Sequence, residues 1–155
     1  MPNQKTPNPR AATCVFCDDI RAEVGNKISL MGIYASDILL SSPPPVMLPK
    51  FALVAWVLSD FDDRPTRVTV RILVPPGRTE LARLEADTDE VLFPHAPDEL
   101  SKASLRIMTT MMPLTLTEEG FLEVMIDTER ETFRAGRLRI RFNVPSAEIM
   151  GEPNA

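Results

Sequence analysis

Apolar and polar residues alternate with a period of two along much of this chain. Thr66 to Val74 reads T-R-V-T-V-R-I-L-V, with Val68, Val70, Ile72 and Val74 on one face and Thr69 and Arg71 on the other. Arg137 to Val144 sets Leu138, Ile140, Phe142 and Val144 against Arg137, Arg139, Arg141 and Asn143. Leu122, Val124 and Ile126 alternate in the same way with Glu123, Met125 and Asp127. Successive side chains of a pleated strand point to opposite faces, so each segment is expected as a half-buried antiparallel strand. Phe51 to Leu58, F-A-L-V-A-W-V-L, is apolar without a break and is expected as a central strand covered on both faces, with Trp56 in the core.

Proline bounds these runs. The chain has 15 prolines against 6 glycines, and they fall between the apolar segments. A proline removes a backbone donor and fixes φ, so such spacing leaves room for strands but not for long helices. Asp60 to Pro65 has turn composition and predicts a hairpin of Phe51–Ser59 with Thr66–Val74. Gly25-Asn26 predicts a turn between strands at Ala12–Asp18 and Ile28–Leu40. Pro75-Pro76-Gly77 turns the chain into Glu80–Ala86, and Ser104–Thr117 is expected to bend at Pro113. Gly120 opens the penultimate strand, and Ala135-Gly136 reads as a bulge before the last. One short helix fits, from Pro97 to Lys102. Together these segments predict an all-β protein, an antiparallel β-sandwich of immunoglobulin or fibronectin type with seven to nine strands and at most one short helix. The expected organisation is one domain over residues 11–145 between disordered tails at 1–10 and 146–155.

Charge narrows the partners. Lys plus Arg is 17 and Asp plus Glu is 22, so the net charge of −5 argues against nucleic acid, which calls for clustered cations. No apolar run reaches the roughly 18 residues of a membrane span, and Met1 to Arg10 lacks the apolar core of a secretory signal. A cytoplasmic protein without a membrane partner is the expectation.

Candidate chemistry is sparse. Cys14-Val15-Phe16-Cys17 has the spacing of a redox pair or half a zinc site, but i and i+3 of a strand face opposite ways, about 10 Å apart. Two reduced, structural thiols are therefore expected. His95, the sole histidine, stands between Pro94 and Pro97 with no identifiable carboxylate neighbour. Asp60, Asp62 and Asp63 crowd one turn and are the candidates for a calcium site. Arg134, Arg137, Arg139 and Arg141 form a basic stripe, expected to pair with the acids of the preceding strand and to guard a sheet edge. Met108, Met111 and Met112 crowd one strand, where they either fill the core or offer an adaptable contact surface.

The stretch Cys17-Asp18-Asp19-Ile20-Arg21-Ala22-Glu23, followed by Lys27-Ile28-Ser29-Leu30-Met31-Gly32-Ile33-Tyr34, resembles the opening of an uncharacterised family of small bacterial proteins, a domain of unknown function. The family pattern is Cys-Asp, Arg-x-Glu, then Lys-x-Ser-Leu-x-Gly-x-Tyr or Phe. The similarity runs on through Leu48-Pro49 and the Trp56 strand, across most of residues 12–144. It implies a bacterial, single-domain, cytoplasmic protein and brings no activity, cofactor or binding residue. Gly32 in this motif suggests close approach by another backbone or a large side chain. Arg21 and Glu23 share a face of an extended chain and are expected to pair with Lys27 or to mark a partner-binding edge.

The expected function is a non-catalytic interaction module that binds a protein partner or forms a homodimer through Met108, Met111, Met112, Arg21 and Glu23, with no cofactor. The alternative is a ligand- or calcium-binding sandwich using Asp60, Asp62 and Asp63. More remote is a small hydrolase or thiol redox protein built on Cys14, Cys17 and His95.

Overall fold

A computed structural model describes residues 9–88 and 102–143. Among them run twelve strands: β1 (Ala11–Cys17), β2 (Asp19–Glu23), β3 (Lys27–Met31), β4 (Asp37–Leu40), β5 (Val46–Leu48), β6 (Phe51–Asp60), β7 (Arg67–Val74), β8 (Thr79–Asp87), β9 (Lys102–Met111), β10 (Leu114–Leu116), β11 (Gly120–Thr128) and β12 (Thr132–Phe142). The only helical element among the described residues is the 3-10 turn Phe61–Asp63. The expected helix at Pro97–Lys102 lies outside the described residues, save Lys102, which opens β9. His95 and the expected C-terminal tail lie outside them too.

Two sheets face each other. One has the order β1-β6-β9, all antiparallel, and the other the order β4-β12-β11-β7-β8, antiparallel except for the parallel pair β4–β12. The short pairs β10–β5 and β2–β3 complete the fold. Alternation decides what lies between the sheets. Phe51, Leu53, Ala55 and Val57 of β6 meet Val68, Val70 and Ile72 of β7, Leu122, Val124 and Ile126 of β11, and Leu138 and Ile140 of β12 in one apolar core. Burial of that apolar area is the main driving force for the fold.

The strand count exceeds the expected seven to nine for a physical reason. Ile28–Leu40 breaks after Met31, where Gly32 takes a φ of +65°, and gives β3 and β4. Ser104–Thr117 breaks at Pro113 and gives β9 and β10, and the short strands β2 and β5 join them. The Gly25-Asn26 turn is present, with both residues at positive φ as a tight hairpin turn favours, but it joins β2 to β3, while β1 pairs with β6. The bulge lies inside the last strand: Val124 pairs with Gly136 and Met125 with Arg134, leaving Ala135 as the extra residue.

Two expectations are corrected. β6 and β7 do not form a hairpin. Phe61–Asp63 and Pro65 carry the chain from one sheet to the other, so that both strands lay an apolar face on the same core from opposite sides. Trp56 is in the central strand of its sheet but on the face opposite Ala55 and Val57, so it is half-buried outside the core between the sheets.

Candidate interaction surfaces

The family-like motif at the start of the chain builds a polar node on the core. Asp18 N–H donates to the carbonyls of Met31 (2.9 Å) and Gly32 (3.2 Å). Tyr34 donates its hydroxyl to Asp18 Oδ1 at 2.5 Å and its backbone N–H to Phe16 O at 2.9 Å. Its ring lies 5.7 Å from that of Phe51, which is 6.0 Å from Phe16. The close approach expected at Gly32 is real, and what approaches is the Asp18 carboxyl group. Burial and the Asp18 carboxylate both push the Tyr34 hydroxyl up, so it stays protonated and keeps donating. Lys50 pairs with Asp19 and holds its carboxyl below the ordinary range.

Arg21 and Glu23 lie exposed on β2. Glu23 faces Lys27 in register, as expected, but accepts its hydrogen bond from Ser29 Oγ (2.9 Å), and Arg21 pairs with Asp19 at 3.6 Å. The turn of this hairpin reaches β9, where Arg106 donates to Asn26 Oδ1 (3.2 Å). Asn26, Trp56, Ser104, Leu105 and Arg106 line a cleft of about 390 Å³ there.

The acidic turn is tied to cations of this chain. Asp60 pairs with Lys102 at 2.5 Å. Asp63 takes both forks of Arg130, at 2.7 and 2.8 Å, and is also met by Arg10. Arg10, placed by composition in a tail, has a side chain only 2% exposed and also reaches Glu129 (2.6 Å) and Glu131 (3.4 Å). Asp62 is exposed and, among the described residues, makes no ion pair. Among the described residues no three acidic, thiol or imidazole groups converge as a metal site. Nothing in the sequence signals the Arg10 clamp, because its partners are more than fifty residues away and sit in other turns.

Both cysteines are free thiols. They fall on opposite faces of β1, as the strand spacing requires: Cys14 packs on the core and Cys17 is fully buried on the other side. Burial first, and then the neighbouring Cys17, pushes the Cys14 thiol up to about 12. Burial and Asp18 raise Cys17 as well. Neither carries the lowered thiol pKa of a reactive nucleophile.

The three methionines do not form one patch. Met108 is 45% exposed on the outer face of β9, Met111 turns inward against the core, and Met112 lies beyond the strand and is 69% exposed. An odd spacing within a strand separates faces, which splits Met108 from Met111. Among the described residues β9 is the outer strand of its sheet, bonded only to β6.

The arginine stripe is likewise placed differently from expectation. β4 pairs with β12 from Arg139 to Phe142, so Arg139 and Arg141 guard no edge, while Arg137 lies just short of that pairing. The expected pairing with the acids of β11 is met at Arg134, which reaches Glu123, while Arg137, Arg139 and Arg141 make no ion pair among the described residues. Glu123 is taken by Arg78 (2.6 Å) and Arg134 (3.5 Å), and Asp127 by Arg71 (2.6 Å). Arg137 stacks over the Phe121 ring at 4.2 Å instead.

Among the described residues no helix is long and apolar enough to cross a membrane. No curated protein and no solved structure matches the chain. Residues 12–141 match the profile of a family of unknown function, DUF6941, and the chain belongs to that family.

Proposed function

We propose that this chain is a non-catalytic interaction module of immunoglobulin-like type that joins a second copy of itself or a protein partner through the outer edge of β9. The carrying observation is the edge itself. β9 is ten residues long, bonded on one side only among the described residues, and shows Met108 on the face that also carries the exposed Leu58 of β6. An edge of this kind offers unpaired backbone donors and acceptors to another strand. Lys102 is already neutralised by Asp60, and Arg106 is bonded to Asn26, so little repels an incoming strand.

The strand order supports the immunoglobulin-like reading. β1-β6-β9 facing β12-β11-β7-β8 follows the chain order of strands A-B-E facing G-F-C-C′. Among the described residues no strand takes the place of D. Two free thiols fit a reducing compartment, in line with a cytoplasmic bacterial protein.

Sedimentation velocity tests the edge. The wild type is expected to dimerise, and Met108→Glu to give a folded monomer with an unchanged melting temperature. A wild type that stays monomeric at every concentration overturns self-association.

A further inference from the structure

We propose that Arg137, Arg139 and Arg141, with Phe121 and Leu39 beside them, bind an extended acidic segment of a protein partner. The proposal rests on reading the chain as an interaction module and assigns it a second face, remote in sequence from β9.

The outer face of the five-stranded sheet divides its charges unequally. Toward β8, each arginine has a carboxylate: Arg71 has Asp127, Arg78 and Arg134 share Glu123, and Arg83 has Glu80 at 2.8 Å. Toward β4 the pairing stops, although Asp37 stands in register with Arg139 and Glu119 accepts from the Phe142 N–H. Arg137, Arg139 and Arg141 are all exposed, and none has an ion pair among the described residues. These three unneutralised cations stand in a chain whose net charge is −5, so they are not the surplus of a basic composition. Because β4 covers β12 from Arg139 to Phe142, protection of an edge does not account for Arg139 and Arg141.

Their spacing specifies a ligand. Same-face residues two apart on a strand repeat at about 7 Å, and an extended peptide repeats its alternate side chains at the same distance. Each guanidinium offers a rigid fork that matches a carboxylate in two parallel hydrogen bonds. Apolar surface flanks the row. Phe121 pairs with Arg139 in register and is 40% exposed, while Leu39 pairs with Arg141 and is 59% exposed. A segment with acidic residues at alternate positions and an apolar residue between them meets both features. A nucleic acid fits less well, because base stacking calls for successive aromatic rings and, among the described residues, Phe121 is the only one paired in register with the row.

The test is fluorescence anisotropy on the full chain. One probe is a labelled peptide alternating glutamate with valine, a second has glutamine in place of glutamate, and a third is a labelled oligothymidylate of equal charge. The acidic peptide is expected to bind, more weakly as salt rises, and the glutamine peptide is not. Arg139→Gln with Arg141→Gln is expected to weaken binding by about tenfold or more without moving the melting temperature. Arg139→Lys with Arg141→Lys keeps the charge but loses the fork, and is expected to fall between. Failure of the acidic peptide to bind overturns the proposal, as does full affinity in both double variants or tighter binding of the oligothymidylate. Sedimentation of the same variants reads the β9 edge separately, so loss of one surface does not imply loss of the other.

Discussion

Gly32 leaves the space that the Asp18 carboxyl group fills. A Cβ added at Gly32 would lie 2.7 Å from Asp18 Cγ and closer still to Oδ2, and the backbone there has a φ of +65°. The glycine of the family-like motif is therefore demanded twice, by sterics and by conformation. Gly32→Ala is expected to cost about 2 kcal/mol or more in urea unfolding. Adding Asp18→Ala to that variant is expected to return the steric part and leave the conformational part. A neutral Gly32→Ala would refute this account of the motif.

Arg10 converts an apparent tail into part of the domain. Its guanidinium is nearly inaccessible and is met by Asp63, Glu129 and Glu131. Removing Arg10 leaves Glu129 without its ion pair and Asp63 and Glu131 with Arg130 alone, so Arg10→Met is expected to lose about 2 kcal/mol. The pH dependence has a definite sign. The hydrogen bond from Arg130 holds the Asp63 carboxyl below its ordinary 3.8. Burial works to raise Glu129, but the bond and charge of Arg10 outweigh it and leave it below 4.5. Groups depressed in the folded state stabilise it above their unfolded values and lose that contribution as the pH falls through the folded ones. Stability should be flat above about pH 5 and fall below about pH 4, less steeply in Arg10→Met. A variant with the wild-type stability and acid profile would show that the clamp is not formed in solution.

The thiols titrate in the opposite direction. Cys14 is raised from 9.0 to about 12 in the folded chain. A protonated thiol is thus retained on folding where the unfolded chain has lost it, so the contribution is complete below pH 9 and declines from there toward pH 12. Unfolding midpoints measured across that window should fall with pH, and Cys14→Ala should flatten the slope. Alkylation should find both thiols in denaturant and neither at pH 8 in the native chain. Rapid native labelling of Cys14 would contradict its placement against the core.

The acidic turn should be indifferent to calcium. A ligand stabilises a fold only by binding its native state, and here Asp60 and Asp63 are already held by Lys102, Arg10 and Arg130. Millimolar calcium should move the melting temperature by less than about a degree. A rise of several degrees, lost in Asp62→Asn with Asp63→Asn, would restore the turn as a binding site.

Period-two alternation in β7, β11 and β12 was legible because the core touches one face of each strand. Proline and glycine likewise marked the β7–β8 turn, the break at Pro113 and the β2–β3 turn. Pairing was not legible. Alternation says which face of a strand is buried but not which strand lies beside it, so β6 and β7 read as a hairpin although they belong to facing sheets. The arginine stripe read as an edge for the same reason. Trp56 misled in another way: in a strand covered on both sides, hydrophobicity does not say which side is the main core. The Arg10 clamp and the Asp18–Tyr34 bond join residues distant in sequence, and no local pattern announces either.

The methionines of β9 offer the sharpest check on register. Met108 and Met111 are three apart, so the pairing of β9 with β6 puts them on opposite faces: Met108 beside Val54 toward solvent, Met111 beside Phe51 toward the core. A carboxylate at Met111 would be driven into apolar surroundings with no cation paired to it there, and Met111→Glu is expected to lose about 2–3 kcal/mol. At Met108 the same change meets water and should stay within about 0.5 kcal/mol of the wild type. A register slipped by one residue would reverse the order, because every side chain would change face. Urea unfolding of the two variants therefore reads the strand register directly. A costly Met108→Glu beside a neutral Met111→Glu would move β9 by one position and withdraw Met108 from the proposed edge.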